Sequence, residues 1–328
     1  MKKNKSIVHQ KFNDFLIKNK LFKNNSSILL AVSGGQDSIC LLKLLKDYQL
    51  DHNLEIHVIH FDHKWRKDSI RNCIFVKNIS NRWSFIFHQK KAKTILSEED
   101  ARRWRYSTMN KLCKQLKITY ILTGHTYNDK LESILFNMVK GSGFEGINTI
   151  QPFMQISQKL YIIRPLLNIT REETFWFCRK FYLPIWSDFT NYNREIKRNR
   201  IREELMPYYK QYFNISLENS LSNFFNNINC DLNYLQERTY YLYYKYKHPK
   251  YIGINKAIFT SISLSMKKRL IRTFIYHNTN IKLNFIETTQ YISLVESPNI
   301  KIKPISFFWH LYISRNWIYL LSNQKAKK

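Results

Sequence analysis

Glycine is scarce in this chain, seven in 328 residues, and six of the seven fall at Gly34, Gly35, Gly124, Gly141, Gly143 and Gly146. A sequence that otherwise avoids glycine keeps it where the backbone needs a positive φ or a close approach, so the first half of the chain is where function is built. Negative charge is scarce too: 24 Asp and Glu face 53 Lys and Arg, a formal charge of +29. Such a field exceeds what an enzyme of small metabolites needs and attracts a polyanion, although a bias towards the Lys, Asn, Ile, Phe and Tyr of AT-rich codons accounts for part of it. Aromatic residues, 15% of the chain, interleave with the basic ones, a texture suited to stacking on unpaired bases. The five cysteines (Cys40, Cys73, Cys113, Cys178, Cys230) form no C-x-x-C, which excludes a zinc ribbon and a dithiol redox motif and fits buried thiols in a reducing compartment. No run of 18 apolar residues occurs, and Met1-Lys2-Lys3-Asn4-Lys5 leads into a mixed amphipathic stretch with no signal-peptide core. The expectation is a soluble protein that is not exported and has no membrane association.

What is present is sharper. Ser33-Gly34-Gly35-Gln36-Asp37-Ser38 lies between the apolar run Ile28–Val32 and the helical run Ile39–Leu45. A strand that turns on two glycines and opens a helix offers unpaired backbone N–H groups to an anion. The loop lacks the Lys-Ser/Thr that ends G-x-x-x-x-G-K-[ST] and carries an acid in the turn. A carboxylate beside a polyphosphate repels it unless a cation lies between, so Asp37 implies Mg²⁺. The plain alternative is a strand-turn-helix connection with a small N-cap.

Periodicity organises the rest. Strand-like runs at about 28–32, 55–61, 84–88, 119–123 and 160–163 alternate with helical patterns at about 38–48, 69–81, 98–116, 129–140 and 170–181. That alternation predicts an α/β fold, a doubly wound parallel sheet whose ligands sit beyond the carboxyl ends of the strands. Beyond about Glu204 the texture becomes Asn-, Tyr- and Lys-rich and helical, with short alternating runs near 300–314. We therefore expect a catalytic domain over residues 1–204 and a smaller, mostly helical region over 205–328.

Gly124-His125-Thr126-Tyr127-Asn128-Asp129-Lys130-Leu131-Glu132-Ser133 sets His125, Asp129 and Glu132 at spacings of four and three, with the two acids on one helix face. The group can hold a second cation, bind an ammonium or take a proton; alternatively the acids simply favour the dipole of a first turn. Gly141-Ser142-Gly143 ends that helix. Arg198-Asn199-Arg200-Ile201-Arg202 gathers three guanidiniums suited to phosphates or a flipped base, or else forms a solvated basic helix start beside Glu203-Glu204. Arg102, Arg103 and Arg105 flank Trp104 and Tyr106, which either meet nucleic acid or pack inward.

The hexapeptide Ser33–Ser38 resembles the PP-loop of the N-type ATP pyrophosphatases. Taken with His60-Phe61-Asp62-His63, Glu98–Tyr106, Gly124–Ser133, Gly141–Gly143, Arg164-Pro165-Leu166-Leu167, Asp188-Phe189-Thr190-Asn191 and Arg198–Arg202 in that order, it resembles the tRNA(Ile)-lysidine synthase family over roughly residues 25–207. Three departures stand out: Asn128 where the family has a first acid, Lys130 where Gln is common, and Lys64-Trp65 in place of Gly-Leu.

The resemblance implies an ATP-dependent ligase. It would adenylate the C2 carbonyl oxygen of the wobble cytidine in the CAU anticodon of tRNA(Ile), release pyrophosphate, and let the ε-amine of free L-lysine displace AMP, converting AUG to AUA specificity. Its co-substrate is ATP, with Mg²⁺ on Asp37; Ser33, Gly34, Gly35, Gln36, Asp37 and Ser38 bind the phosphates. Asp37, His125, Asp129 and Glu132 are the catalytic candidates, Asp129 and Glu132 also the lysine anchors. Arg198, Arg200, Arg202, Arg102 and Arg105 are the tRNA contacts, and no protein partner is implied. Two other classes stay open: a PP-loop tRNA thiolase, which would need cysteine ligands or a catalytic pair, and a non-catalytic RNA-binding factor with a degenerate nucleotide fold. The AT-rich texture and the absence of a presequence fit a plastid stroma, or the cytoplasm of a reduced-genome bacterium.

Overall fold

Strand β1 (Ser27–Ala31) lies at the centre of a six-stranded sheet, and its middle residues are buried from both sides. Ile28 and Leu30 enter one apolar core and Leu29 the other. Burial on both faces is why this strand reads as a continuous apolar run and not as an alternation. In the computed structural model residues 6–22, 25–63, 68–92, 97–143, 146, 150–157, 159–186 and 197–322 are described. The chain divides into two compact units, Met1–Ser222 and Asn223–Lys328.

In the first unit β1 pairs in parallel with β2 (Glu55–Asp62) and β4 (Tyr120–Thr123), setting Ile28 opposite both Ile56 and Tyr120. β3 (Ile86–Lys91) lies parallel beside β2, and β6 (Leu160–Ile163) beside β4. The order β3-β2-β1-β4-β6-β5 reverses direction between β1 and β4, which opens a crevice above their carboxyl ends. The last strand, β5 (Phe153–Ser157), runs antiparallel to β6. Its residues are only half-buried at an edge, so no buried apolar run announces it, and the expected parallel sheet gains one antiparallel rim.

Helices cover both faces. On one, α2 (Gln36–His52), α6 (Arg171–Lys180) and α1 (Ile7–Lys18) bring Leu41, Leu44, Phe177, Cys178, Phe12 and Leu16 into a core with Ile28 and Leu30. On the other, α4 (Glu98–Leu116) lays Met109, Leu112 and Cys113 over Leu29, Ile59 and Ile121. Capping boxes fix the starts of α6, by Thr170 and Glu173, and of α5 (Tyr127–Val139), by Thr126 and Asp129. Helix α3 (Ser69–Arg82) connects β2 to β3. After α6 come a short helix α7 (Lys197–Arg200), one π turn (Ile201–Leu205), α8 (Met206–Tyr212) and the long α9 (Leu217–Lys245).

The second unit has a core of Phe259, Ile271, Phe274, Val295, Leu311, Ile313 and Ile318. These side chains come from helices Lys256–Ser261, Leu264–Thr279 and Phe285–Glu296 and from a four-stranded antiparallel sheet, β7 (Gly253–Asn255), β10 (Trp317–Ser322), β9 (Trp309–Ile313) and β8 (Lys301–Pro304). Helix and small sheet together match the texture read from the sequence. Among the described residues no helix is long and apolar enough to cross a membrane.

Candidate active site

The β1–α2 turn is built for an anion. Gly35 is the N-cap of α2 and supplies no side-chain cap, which leaves the first amides of the helix for a ligand. Gly34 has φ +92°, and a Cβ there would lie 2.5 Å from Asn72 Oδ1, so both the conformation and the space require glycine. The loop is braced from several sides. Asn72 Nδ2 donates to the Ser33 carbonyl at 3.0 Å, the Trp186 amide to the Gly34 carbonyl at 3.0 Å, and the Ser38 hydroxyl to the Gly35 carbonyl at 2.8 Å. The Gln36 side chain ties the loop to α6: its Nε2 donates to the Arg171 carbonyl at 2.6 Å and to Thr174 Oγ1 at 2.7 Å, and lies 3.5 Å from Asp37 Oδ1.

Asp37 is the chemical centre of the turn. The Thr174 hydroxyl donates to its Oδ1 at 2.5 Å, and Arg171 Nε lies 3.3 Å from its Oδ2. Burial pushes its pKa up to about 6; Arg171 pulls the other way and the nearby Asp129 charge adds to the rise. A single, poorly solvated carboxylate beside open amides fits a cation that binds one or two carboxylates and takes its other ligands from phosphates and water.

Strand β4 ends against this turn. A Cβ at Gly124 would sit 3.1 Å from the Asp37 carbonyl and from Ser38 Cα, so glycine here permits the close approach of β4 to the loop. The next residue, His125, shares a hydrogen bond with the Thr123 hydroxyl at 2.8 Å. Burial lowers its pKa to about 4, with Arg164, Arg102 and Arg105 adding to the fall and Asp129 opposing it, so the ring is neutral at physiological pH.

Asp129 and Glu132 do share a face of α5, and Arg202 joins them. Arg202 Nε donates to Glu132 Oε1 at 2.6 Å and Nη2 to Oε2 at 2.7 Å, a bidentate fork, while Nη2 also reaches Asp129 Oδ1 at 3.4 Å. The other oxygen of Asp129 caps α5, accepting from the Thr126 amide at 2.8 Å and its hydroxyl at 3.0 Å. Burial raises the pKa of Glu132 against the pull of Arg202. Arg202 lies in the π turn that begins at Ile201. Arg200 is exposed and pairs with Glu204 at 3.0 Å, and Arg198 lies over the Phe136 ring at 5.7 Å. On α4, Arg102 is exposed above the Tyr106 ring at 5.5 Å, and Arg105 is half-buried.

The site also contains residues that sequence reasoning passed over. Arg171 and Thr174 hold Asp37, and the box of Thr170 and Glu173 fixes the first turn of α6, which carries them. Asn128 Oδ1 accepts from the Arg171 amide at 2.9 Å, a structural task that an amide performs without charge. Buried Arg164 donates from Nη1 to the Gln151 carbonyl at 2.7 Å. His60, buried on β2, donates from Nδ1 to the Val32 carbonyl at 2.8 Å and belongs to the core. Lys64-Trp65 and Asp188–Asn191 lie outside the described residues.

Comparison with known proteins accords with this geometry. Residues 4–209 match the PP-loop domain family. A chloroplastic tRNA(Ile)-lysidine synthase of Pyropia yezoensis is 34% identical over 98% of this chain and 98% of its own length. The chain belongs to the tRNA(Ile)-lysidine synthase family. A chloroplastic member from Gracilaria tenuistipitata var. liui is 35% identical over 95% of this chain and 98% of its own, and one from a Nostoc species is 32% identical over 93% and 94%. Among solved structures, the U34-tRNA thiolase NcsA from Methanococcus maripaludis with its [4Fe-4S] cluster superposes with a TM-score of 0.56 at 13% identity, over 67% of this chain and 78% of that one, and so shares the fold. Four of the five cysteines here are buried, and among the described residues no three His, Cys, Asp or Glu are grouped to hold a metal.

Proposed function

We propose that this family member adenylates the wobble cytidine of tRNA(Ile) with a CAU anticodon and joins free L-lysine to its C2. Supporting this reading most directly is the juxtaposition, across Gly124, of an uncapped PP-loop carrying Asp37 with the acid pair of α5. The first centre suits a triphosphate and the second an amine.

In the first step the C2 carbonyl oxygen of the cytidine attacks the α-phosphorus of ATP and the bond to pyrophosphate breaks. The α2 amides hold the departing phosphates, and Gln36 keeps the loop rigid against α6. Asp37 would hold Mg²⁺, which when bound offsets negative charge on the leaving pyrophosphate. In the second step the lysine ε-amine bonds to C2 and the C2–O bond to AMP breaks. The amine, with an ordinary pKa of about 10.4, must first lose a proton. Of the three candidates His125 is least suited to hold that proton, because its pKa is near 4. Asp129 has one oxygen in the α5 cap and the other on Arg202. Glu132, whose burial makes it more basic than an ordinary carboxylate, is assigned as the acceptor once the amine displaces Arg202 from it. Arg198, Arg200, Arg102 and Arg105 contact tRNA, as does the region from 205 onward, and the protein works in a plastid stroma, in keeping with its chloroplastic relatives.

Incubation with ATP, Mg²⁺, labelled lysine and tRNA(Ile) bearing CAU should place label in the tRNA, and the same tRNA bearing GAU should take none. Absence of label from the CAU tRNA overturns the proposal.

A further inference from the structure

The second unit holds a cavity of about 350 Å³ lined by Asn255, Lys256, Arg315, Asn316 and Trp317, among others, and no acid is in its lining. Its walls are joined through the backbone. Trp317 on β10 pairs with Asn255 on β7, while Ile318 and Leu320 enter the core, so Trp317 and Asn255 share the outer face of the small sheet. Arg315 and Asn316 form the tip of the β9–β10 hairpin, which the Ser314 amide closes by donating to the Trp317 carbonyl at 2.9 Å. The Lys256 amide donates to the Asn316 carbonyl at 2.9 Å and so fastens the short helix Lys256–Ser261 to that tip. The indole is held as well: the His248 ring lies 4.5 Å from it at 71°, and His248 Nδ1 accepts from the amides of Lys250 and Tyr251 at 3.1 and 3.0 Å.

This lining offers donors, positive charge and one aromatic ring. Lys256 Nζ uses one N–H on the Ser297 carbonyl at 3.0 Å and keeps two. Asn255 Oδ1 accepts from the Ile258 amide at 3.1 Å, which leaves its Nδ2 as a donor. The unit's four acids, Asp231, Glu237, Glu287 and Glu296, all lie on α9 and on helix Phe285–Glu296, so the strands and the hairpin tip carry none. An amine or a metal ion therefore meets no carboxylate here, and a wholly apolar ligand would leave the donors unpaired. Inorganic phosphate would use the cations but not the ring, whereas the volume falls within the roughly 300–1,000 Å³ of sites for larger small molecules. We propose that this cavity is a nucleotide site of the second unit, in which Trp317 stacks on the base and Lys256 and Arg315 hold the phosphate. A free mononucleotide and the terminal nucleotide of an RNA strand share that chemistry. The site uses no residue of the PP-loop centre and does not depend on the lysidine reading.

Equilibrium dialysis of the full chain with labelled uridine 5′-monophosphate and with labelled uridine tests it. Trp317→Leu should weaken both on the order of 10-fold, the scale of losing one stacked ring. Arg315→Gln and Lys256→Gln should each weaken the monophosphate by a similar factor and leave uridine unchanged. Arg315 stands at an exposed hairpin tip outside the core, so its variant keeps the test decisive even where Trp317→Leu melts early. A 5′-phosphorylated tetrauridylate separates the two sources. Binding no tighter than that of the monophosphate assigns the site to a free nucleotide, and binding about 10-fold tighter or more, lost in the same variants, assigns it to a strand end. Monophosphate binding that is unchanged in Arg315→Gln, or uridine binding that falls as far as the monophosphate's in that variant, overturns the proposal.

Discussion

Replacing Asp37 by Asn should make the fold more stable while removing its chemistry. Asp37 is an acid whose native pKa, about 6, exceeds its ordinary 3.8 because burial disfavours the charge. The native state therefore holds this proton more tightly than the unfolded chain does. The stability the group contributes is complete below about pH 4 and is lost as pH rises through about 6. A change of two decades in proton affinity corresponds to about 3 kcal/mol. Asn keeps the acceptor that Thr174 uses at 2.5 Å, and Arg171, one-third exposed, stays solvated without its partner. At pH 8, without ATP or Mg²⁺, the variant should gain up to about 3 kcal/mol, or about 6–12 °C in Tm for a unit of this size. At pH 5 roughly half of that gain should remain. Pyrophosphate release should fall on the order of 10²-fold, the scale of losing a preorganised charge partner. Thermal melts at the two pH values decide the matter. A variant that melts at or below the parent at pH 8, or whose advantage does not shrink at pH 5, refutes the account of Asp37 as a carboxylate whose burial outweighs its pairing with Arg171 and Thr174.

Gly124→Ala should push β4 away from the Asp37–Ser38 backbone, which cannot yield as a side chain can, and cost about 1–3 kcal/mol together with most ATP-dependent turnover; an unchanged Tm and kcat would dismiss the close contact. Replacing Arg198 and Arg200 together by Ala should reduce the slope of log K for tRNA against log salt by roughly two counterions, and an unchanged slope would leave them a solvated helix end. Asp129→Asn should still allow adenylation but slow lysine transfer. Adenylated tRNA should accumulate, whereas in Glu132→Gln, which lacks the proton acceptor, transfer should recover partly at higher pH, where more of the free amine is neutral. Loss of adenylation itself would move Asp129 out of the lysine site.

How much of this was legible in the sequence depends on how local each cause is. The PP-loop, the parallel core strands and the shared face of Asp129 and Glu132 all follow from spacing within one element, and all are present. Strand β5 left no apolar run because an edge strand buries little. Arg202 was grouped with Arg198 and Arg200 because three guanidiniums in five residues read as one patch. What sets Arg202 apart is its pairing with the acids of α5, about 70 residues earlier in the chain, and no local pattern of residue types reveals that pairing. Arg171 was silent for a related reason: its role depends on α6 packing beside α2, a contact between segments more than 130 residues apart.

The charge distribution shows why one chain needs both a basic surface and an acidic centre. A net charge of +29 draws in a polyanionic RNA, yet three of only 24 acids, Asp37, Asp129 and Glu132, are gathered at the strand ends. Arg171 lies beside Asp37, and Arg202 beside Asp129 and Glu132, so none of the three acids stands without a guanidinium. A centre with surplus positive charge would hold pyrophosphate after it is formed and repel the ammonium that must follow it. One left with three bare carboxylates would repel the triphosphate. On the proposed reading, guanidiniums exchanged for a metal ion at Asp37 and for an amine at Glu132 would let the same few acids receive ATP first and lysine second, within a field that keeps the RNA bound throughout.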